Sequence, residues 1–274
     1  MEMRREAPNA PEWAAGTLVI RLGYRGQDFA GYAEQPGRRT VAGELHRALE
    51  TTLRRPCDLV CAGRTDAGVH ALSQYVSVPV SAQELELPAK RLMRSLVALT
   101  PDDLSVNAIF RAPVGFSARF DACDRSYRYR ICAGDARPVL AWDHAWWFKG
   151  QLDVAAMNEA AQCLVGECDF KSFCKAASAV DKSTFRYVES LTVSEVEEAG
   201  EKLVVIDITG NAFLHNMVRT IAGTLAEVGR GHQDVQWVAD ALAACDRSAA
   251  GPCAPAKGLT FVNVNYPEGT LKPW

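Results

Sequence analysis

Short apolar blocks alternate along this chain with stretches of helical spacing. The run "TLVIRLGY" (17–24), the run Leu59 to Ala62, and Tyr75 to Val80, where Val76, Val78 and Val80 fall on one side, each predict a strand. Between the first two, "TVAGELHRALETTLRR" predicts a helix with Thr40 as N-cap, and Glu44 adds favourable negative charge to its first turn. A helix near Pro88 to Leu99 and a strand near Asp103 to Phe110 complete the first half. The second half repeats the theme. It carries a strand at "SYRYRICA", a helix over Val154 to Leu164, and a hairpin in "SLTVSEVEEAGEKLVVIDITG" that turns at Ala199–Gly200. Helices over Phe213 to Val228 and Val235 to Ala244 and a last strand "LTFVNVNY" follow.

Hairpins and helices in both halves predict an α+β fold: two structurally similar halves with a shared, mainly antiparallel sheet flanked by helices. No short-period repeat and no low-complexity linker interrupts the chain. The expected organisation is a loose N-terminal arm over 1–16, an α+β domain over 17–112 and a second over 113–274, divided near Arg111 to Phe116.

Composition changes this picture little. The chain has 274 residues, 48% hydrophobic and 23% charged, enough for a sizeable core. A net charge of -3 argues against nucleic-acid binding by bulk charge but leaves a local basic cleft open. Nine cysteines, an odd number without a Cys-x-x-Cys pair, read as reduced cytosolic thiols, and Cys163, Cys168 and Cys174 are spaced too widely for a zinc site. No apolar run approaches a membrane span, and "MEMRREAPNAPEWAAG" lacks a secretory h-region, so a cytoplasmic protein is expected.

The candidate chemistry begins in "DLVCAGRTDAGVHALSQYVSV", which hangs Arg64, Asp66 and His70 on a glycine-bearing loop between two strands. Gly63 and Gly68 allow the loop to turn sharply and present Asp66 outward. An ordinary Asx-turn would use the same residues, so more are needed. "GYRGQDFAGYAEQPGRRTVAGEL" has glycines and paired arginines that could bring backbone close to a phosphate. "FSARFDACDRSYRYRI" interleaves Arg119, Arg125, Arg128 and Arg130 with Tyr127 and Tyr129, which suits stacking on unpaired bases and holding their phosphates; an exposed strand with solvated arginines has the same pattern. In "GNAFLHNMVRTIAGTL" a helical frame sets Phe213, Met217 and Thr220 or Ile221 on one side. Arg219 lies among apolar neighbours there, and a partly buried arginine needs an anion, for which Asp66 is a candidate. His215 reads as a surface or RNA contact rather than a base, since no carboxylate triad accompanies it. "GPCAPAKGLTFVNVNY" delivers Lys257 and Gly258 just before a strand.

These motifs, in this order from Tyr24 to Tyr266, resemble the TruA family of tRNA pseudouridine synthases. "GRTDAGVHA" matches that family's active-site loop almost letter for letter, and "FSARFDA", "RSYRY", "DFKSF", "FLHNMVRTIAGTL" and "APAKGLTF" follow it. The resemblance implies that Asp66 is the catalytic aspartate, Tyr127 (rather than Tyr129) the active-site tyrosine, and Arg219 the basic partner of the aspartate. It implies that Arg64 displaces the target nucleotide from its stack and that His70 and Gln74 belong to an RNA-contacting shell. The active-site cleft is expected between the two halves. The substrate it implies is the anticodon stem-loop of tRNA at uridines 38 to 40, and the assembly a homodimer. Arg25, Gln27, Tyr32 and Ala33 stand where the family tends to carry Asp, Thr, Trp and Gln, and Cys168 where many relatives have His, so substrate breadth is more in question than chemistry.

Isomerising uridine exchanges no net atoms or electrons, so neither metal nor redox cofactor is expected. A catalytically silent module that binds structured RNA is the alternative, separated by activity. Aspartyl phosphotransfer is disfavoured, because the Asp-x-Asp arrangement often used there would need an acid at Gly68.

Overall fold

The computed structural model describes residues 10–178, 180 and 182–274, so most of the expected N-terminal arm lies outside the described residues. In chain order the elements are β1 (Gly16–Tyr24), α1 (Val41–Leu53), β2 (Val60–Cys61), β3 (His70–Val80), α2 (Ala82–Leu85), α3 (Ala89–Leu99), β4 (Leu104–Ala112) and β5 (Asp124–Ala133). There follow β6 (Trp146–Phe148), α4 (Val154–Ala161), β7 (Gly166–Asp169), β8 (Phe185–Glu198), β9 (Glu201–Gly210), α5 (Met217–Gly229), α6 (Gln236–Ala244), β10 (Leu259–Asn265) and β11 (Lys272–Pro273). The fold is α+β, with mostly antiparallel sheet flanked by helices. The chain forms two compact units, one of Met1–Cys123 with Phe261–Trp274 and one of Asp124–Thr260.

In the first unit β1 is central. It pairs antiparallel with β3, Leu18 opposite Val78 and Ile20 opposite Val76, and with β4, Ile20 opposite Ile109. β2 adds to β3 and β11 to β4. Helix α1 starts where expected: the Thr40 side chain accepts a hydrogen bond from the Gly43 N–H, which satisfies one of the donors a helix start leaves open. Its buried positions Val41, Leu45, Ala48 and Leu49, and Leu92 and Leu96 of α3, recur at helical spacing and join Leu18, Ile20, Leu22, Val76 and Val78 in the core. The alternation of Tyr75 to Val80 does not become alternating burial, because the other face is covered too. Tyr75 meets Tyr266 edge-on at 5.3 Å, and Ser77 Oγ accepts the Ala118 N–H at 3.0 Å.

Those contacts explain where the units divide. The sequence places the division at 112/113, whereas the chain from Pro113 to Cys123 stays with the first unit. Thr17 Oγ1 donates to the Pro113 carbonyl at 2.9 Å, Tyr266 Oη to the Ala118 carbonyl at 2.7 Å, and the Cys123 N–H to the Asn265 carbonyl at 2.8 Å. Long-range pairing of this kind leaves no local pattern. The described part of the arm is also tied down, with the Ala15 N–H on the Val80 carbonyl at 2.8 Å and Arg55 over the Trp13 ring at 4.6 Å.

The second unit pairs β5 with β9, β9 with β8 and β8 with β7, all antiparallel, while β6 lies parallel to β5. The β8–β9 hairpin turns at Ala199–Gly200, with φ of 51° and 80°. Two left-handed residues match the twist of the flanking strands, which is why short hairpins prefer them. Helix α4 stops at Ala161 and continues as a 3-10 turn over Gln162–Leu164. Helix α5 begins at Met217, not at Phe213, because Asn216 takes the left-handed conformation at φ 65° and interrupts the helical run. Phe213 therefore lies outside the helix. β6, β7 and β11 have three, four and two residues, too few to show a period. Among the described residues no helix is long and apolar enough to cross a membrane.

Candidate active site

The loop 62–69 leaves β2 at Cys61 and returns in β3 at His70, and burial alternates along its centre: Arg64 is exposed, Thr65 buried and Asp66 half-buried. Thr65 is fastened from behind. Its Oγ1 lies 2.7 Å from Tyr24 Oη, and its carbonyl accepts the Tyr32 N–H at 3.0 Å. Gly63 is held by Gln74, whose Nε2 donates to the Gly63 carbonyl at 2.6 Å while Oε1 accepts the Gly63 and Tyr75 N–H groups at 3.4 and 3.2 Å. At the far end the Gly26 N–H donates to His70 Nδ1 at 3.3 Å. A Cβ at Gly26 would sit 1.9 Å from the Val69 carbonyl oxygen, so only glycine permits that approach. The Val69 N–H on the Asp66 carbonyl at 3.2 Å closes the turn, with Gly68 at φ 81°. Thr65 is anchored inward, and beside it Arg64 is exposed and Asp66 half-buried.

The groups behind the loop stay neutral. Burial raises the Tyr24 phenol well above its ordinary range, which hydrogen bonds with Thr65 and Gln74 only partly offset. Burial likewise pushes the Cys61 thiol up to about 11 against the opposing charge of Arg64, so Cys61 is no thiolate nucleophile at neutral pH. The loop thus carries an exposed guanidinium, Arg64, and a half-buried carboxylate, Asp66.

In the second unit, Tyr127 and Tyr129 share a face of β5 but differ in surroundings. Tyr129 is fully buried, its Oη donates to the Pro255 carbonyl at 2.8 Å, and a Cβ on Gly258 would lie 2.6 Å from its ring. It is a core residue packed against a glycine that leaves it room. Tyr127 sits edge-on to Phe213 at 5.0 Å. Arg219, in the first turn of α5, is half-buried and aimed by two acceptors: Nε donates to the Ala254 carbonyl at 2.8 Å and Nη1 to Asn216 Oδ1 at 3.1 Å. The residue that ends the helical run is therefore one that steers Arg219.

Several expected RNA contacts are spent elsewhere. Arg128 pairs with Asp207, its direct cross-strand partner, at 2.7 Å, and Arg130 with Glu198 at 3.0 Å. Arg39 makes a two-pronged bond to Asp103 at 2.7 Å, so it braces the loop ahead of α1. Gln74 is fully buried with its amide committed to Gly63, and His70 is buried with Nδ1 accepting the Gly26 N–H. His215 is exposed. Lys257 lies over the Trp142 ring at 4.0 Å and donates to the Trp142 carbonyl. Sequence reasoning missed Tyr24, Thr65 and Asn216, for which a tyrosine closing a strand and an asparagine before a helix were the only signals. Among the described residues no cluster of three or more His, Cys, Asp or Glu could hold a metal, and all nine cysteines are free thiols.

Residues 160–267 match the family model described as tRNA pseudouridine synthase. The chain is 41% identical over 257 residues to tRNA pseudouridine synthase A of Chloroflexus aurantiacus, covering 93% of this chain and 91% of that one. It is 40% identical to the protein of the same name from Hydrogenovibrio crunogenus and 35% to that from Francisella tularensis subsp. novicida, in both cases over 93% of this chain and 95% of the other. Likeness at that level extends over nearly the full length of each relative and takes in both units, so the chain belongs to the tRNA pseudouridine synthase A family of isomerases.

Proposed function

We propose that this enzyme converts uridine to pseudouridine at positions 38 to 40 of the tRNA anticodon stem-loop, with Asp66 as the reacting carboxylate. The observation that carries the reading is the loop anchored through Gly63 and Thr65, which holds a half-buried Asp66 beside an exposed Arg64. The reaction breaks the C1'–N1 bond, turns the freed uracil and joins C5 to C1'. It needs a carboxylate near sugar and base, a pocket for the detached uracil and exclusion of water. Attack of Asp66 at C1', attack at C6, and removal of a sugar proton all use a carboxylate mounted in this way.

Arg219 is assigned the part of basic partner to Asp66, and Tyr127 the face on which uracil stacks. A target base inside a stem has to be flipped out, at a cost of about a few kcal/mol that phosphate contacts offset. Arg64 takes the vacated space in the stem. The partners in this reading are tRNA and a second copy of the chain, in the cytoplasm.

The test uses isotopically labelled tRNA with a mass readout specific for pseudouridine. Asp66→Ala and Asp66→Asn should abolish isomerisation while tRNA binding and melting temperature are retained, and Arg219→Met should cut turnover strongly. Substantial turnover by Asp66→Ala would remove Asp66 from the chemistry. Pseudouridine mapped outside 38 to 40 would overturn the assigned substrate.

A further inference from the structure

Resting on the reading of Asp66 as the reacting carboxylate, we propose that Tyr24 and Gln74 are positioning residues for the isomerisation: from behind the loop they fix Thr65 and Gly63 and thereby set the direction of Asp66. Tyr24 is the last residue of β1 and is held on both sides, opposite Ala71 of β3 and opposite Leu104 of β4. Its ring packs edge-on against Phe29 at 6.3 Å, and only 5% of the residue is exposed. The phenol therefore has little freedom, and its 2.7 Å bond to Thr65 Oγ1 transmits that rigidity to the residue next to Asp66. Gln74, fully buried on β3, engages both the N–H and the carbonyl of Gly63, which fixes the peptide on the other side of Arg64. Two anchors on alternate loop residues, Gly63 and Thr65, bracket Arg64 and adjoin Asp66.

Neither anchor meets solvent to a degree that would let it touch RNA, so any effect on turnover has to pass through the loop. Productive geometry tolerates displacements of about 0.5 Å, and loss of one anchor should slow the chemical step by about tenfold without weakening tRNA binding.

The test is single-turnover kinetics on a tRNA transcript with the full chain, beside tRNA Kd and melting temperature. Tyr24→Phe and Thr65→Val should each slow the chemical step by about tenfold, and the double variant should be no slower than Tyr24→Phe, because the bond they share is already lost there. Thr65→Ser, which keeps the hydroxyl, should stay within about twofold of the parent. Gln74→Leu should slow the step with Kd unchanged. An unaltered rate in Tyr24→Phe, losses that multiply in the double variant, or an effect confined to Kd would overturn the proposal. If Tyr24→Phe does not fold, the contrast of Thr65→Val with Thr65→Ser decides. Turnover by Asp66→Asn would overturn the reading of Asp66 itself, whereas a silent Tyr24→Phe beside an inactive Asp66→Asn would overturn the positioning role alone.

Discussion

Arg64 and Asp66 flank Thr65, and the anchored middle side chain decides where the outer two go. At this scale Arg64 is the residue whose role can be isolated. Holding open a stem is needed only when the target uridine is paired. Arg64→Ala should therefore slow single-turnover reaction by about tenfold or more on RNA with a paired target, and markedly less when the same target is mismatched, because only the former requires unstacking. An identical loss on matched paired and mismatched RNAs would leave Arg64 as a general phosphate contact. Tyr127 and Tyr129 are both buried and differ in their neighbours. The first packs against Phe213 and the second is sealed under Gly258. The sequence pattern of alternating Arg and Tyr could not distinguish them, since both occupy the same face of one strand.

At the scale of elements, the β8–β9 turn shows how local chemistry and backbone demand can disagree. Ala199 is held at φ 51°, where a Cβ meets the following carbonyl at a cost of about 1–2 kcal/mol. Asparagine tolerates this region, and Asn–Gly is the preferred pair for such a turn. Ala199→Asn should stabilise the protein by about 0.5–1 kcal/mol and raise Tm by a few degrees, measured by thermal melting, with turnover unchanged. A lowered Tm would refute the assignment of strain to Ala199. Helix α5 is the opposite case. Its apolar spacing runs back to Phe213, and periodicity alone extends the helix that far. The left-handed Asn216 delays its start to Met217, and that residue's side chain then serves Arg219.

For the whole molecule, charge matters by location. The net charge is -3, and many basic residues are already paired internally, among them Arg39 with Asp103 and Arg128 with Asp207. Two carboxylates in the first unit tie stability to pH. The hydrogen bond and charge of Arg39 hold Asp103 below the usual carboxylate range. For Glu84 burial pulls upward, but Arg55 and the Ser81 N–H outweigh it and the net shift is downward. A depressed carboxyl contributes stability that is present above its unfolded pKa, about 4, and is lost as pH falls through the lower folded value. The double variant Asp103→Asn/Glu84→Gln should be less stable than the parent at pH 7, and the gap should close on acidification below about pH 4. Denaturant unfolding at a series of pH values checks this; a gap that stays constant from neutral pH to pH 3 would rule it out.

What the sequence determined by itself is whatever depends on short-range pattern: the α+β class, the strands β1, β3 and β5, the Thr40 cap, the turn at Ala199–Gly200, and an Arg-Thr-Asp loop between two strands. Each follows from periodicity or from a side chain acting on its own neighbourhood. Only the tertiary structure decided which polar residues were free for chemistry. Gln74 and His70 lie in the same motif as Asp66 and look like ligand contacts in sequence, yet both are buried, Gln74 bonded to the loop's Gly63 and His70 to the Gly26 N–H. Arg128, Arg130 and Arg39 look like phosphate contacts until Asp207, Glu198 and Asp103, distant in sequence, claim them. Tyr24, at the end of β1, is separated from Thr65 by a loop, α1 and β2, and nothing local pairs them. A hydrogen bond or ion pair between residues far apart along the chain exists only once the strands have packed, and burial then fixes it by making the unpaired alternative costly.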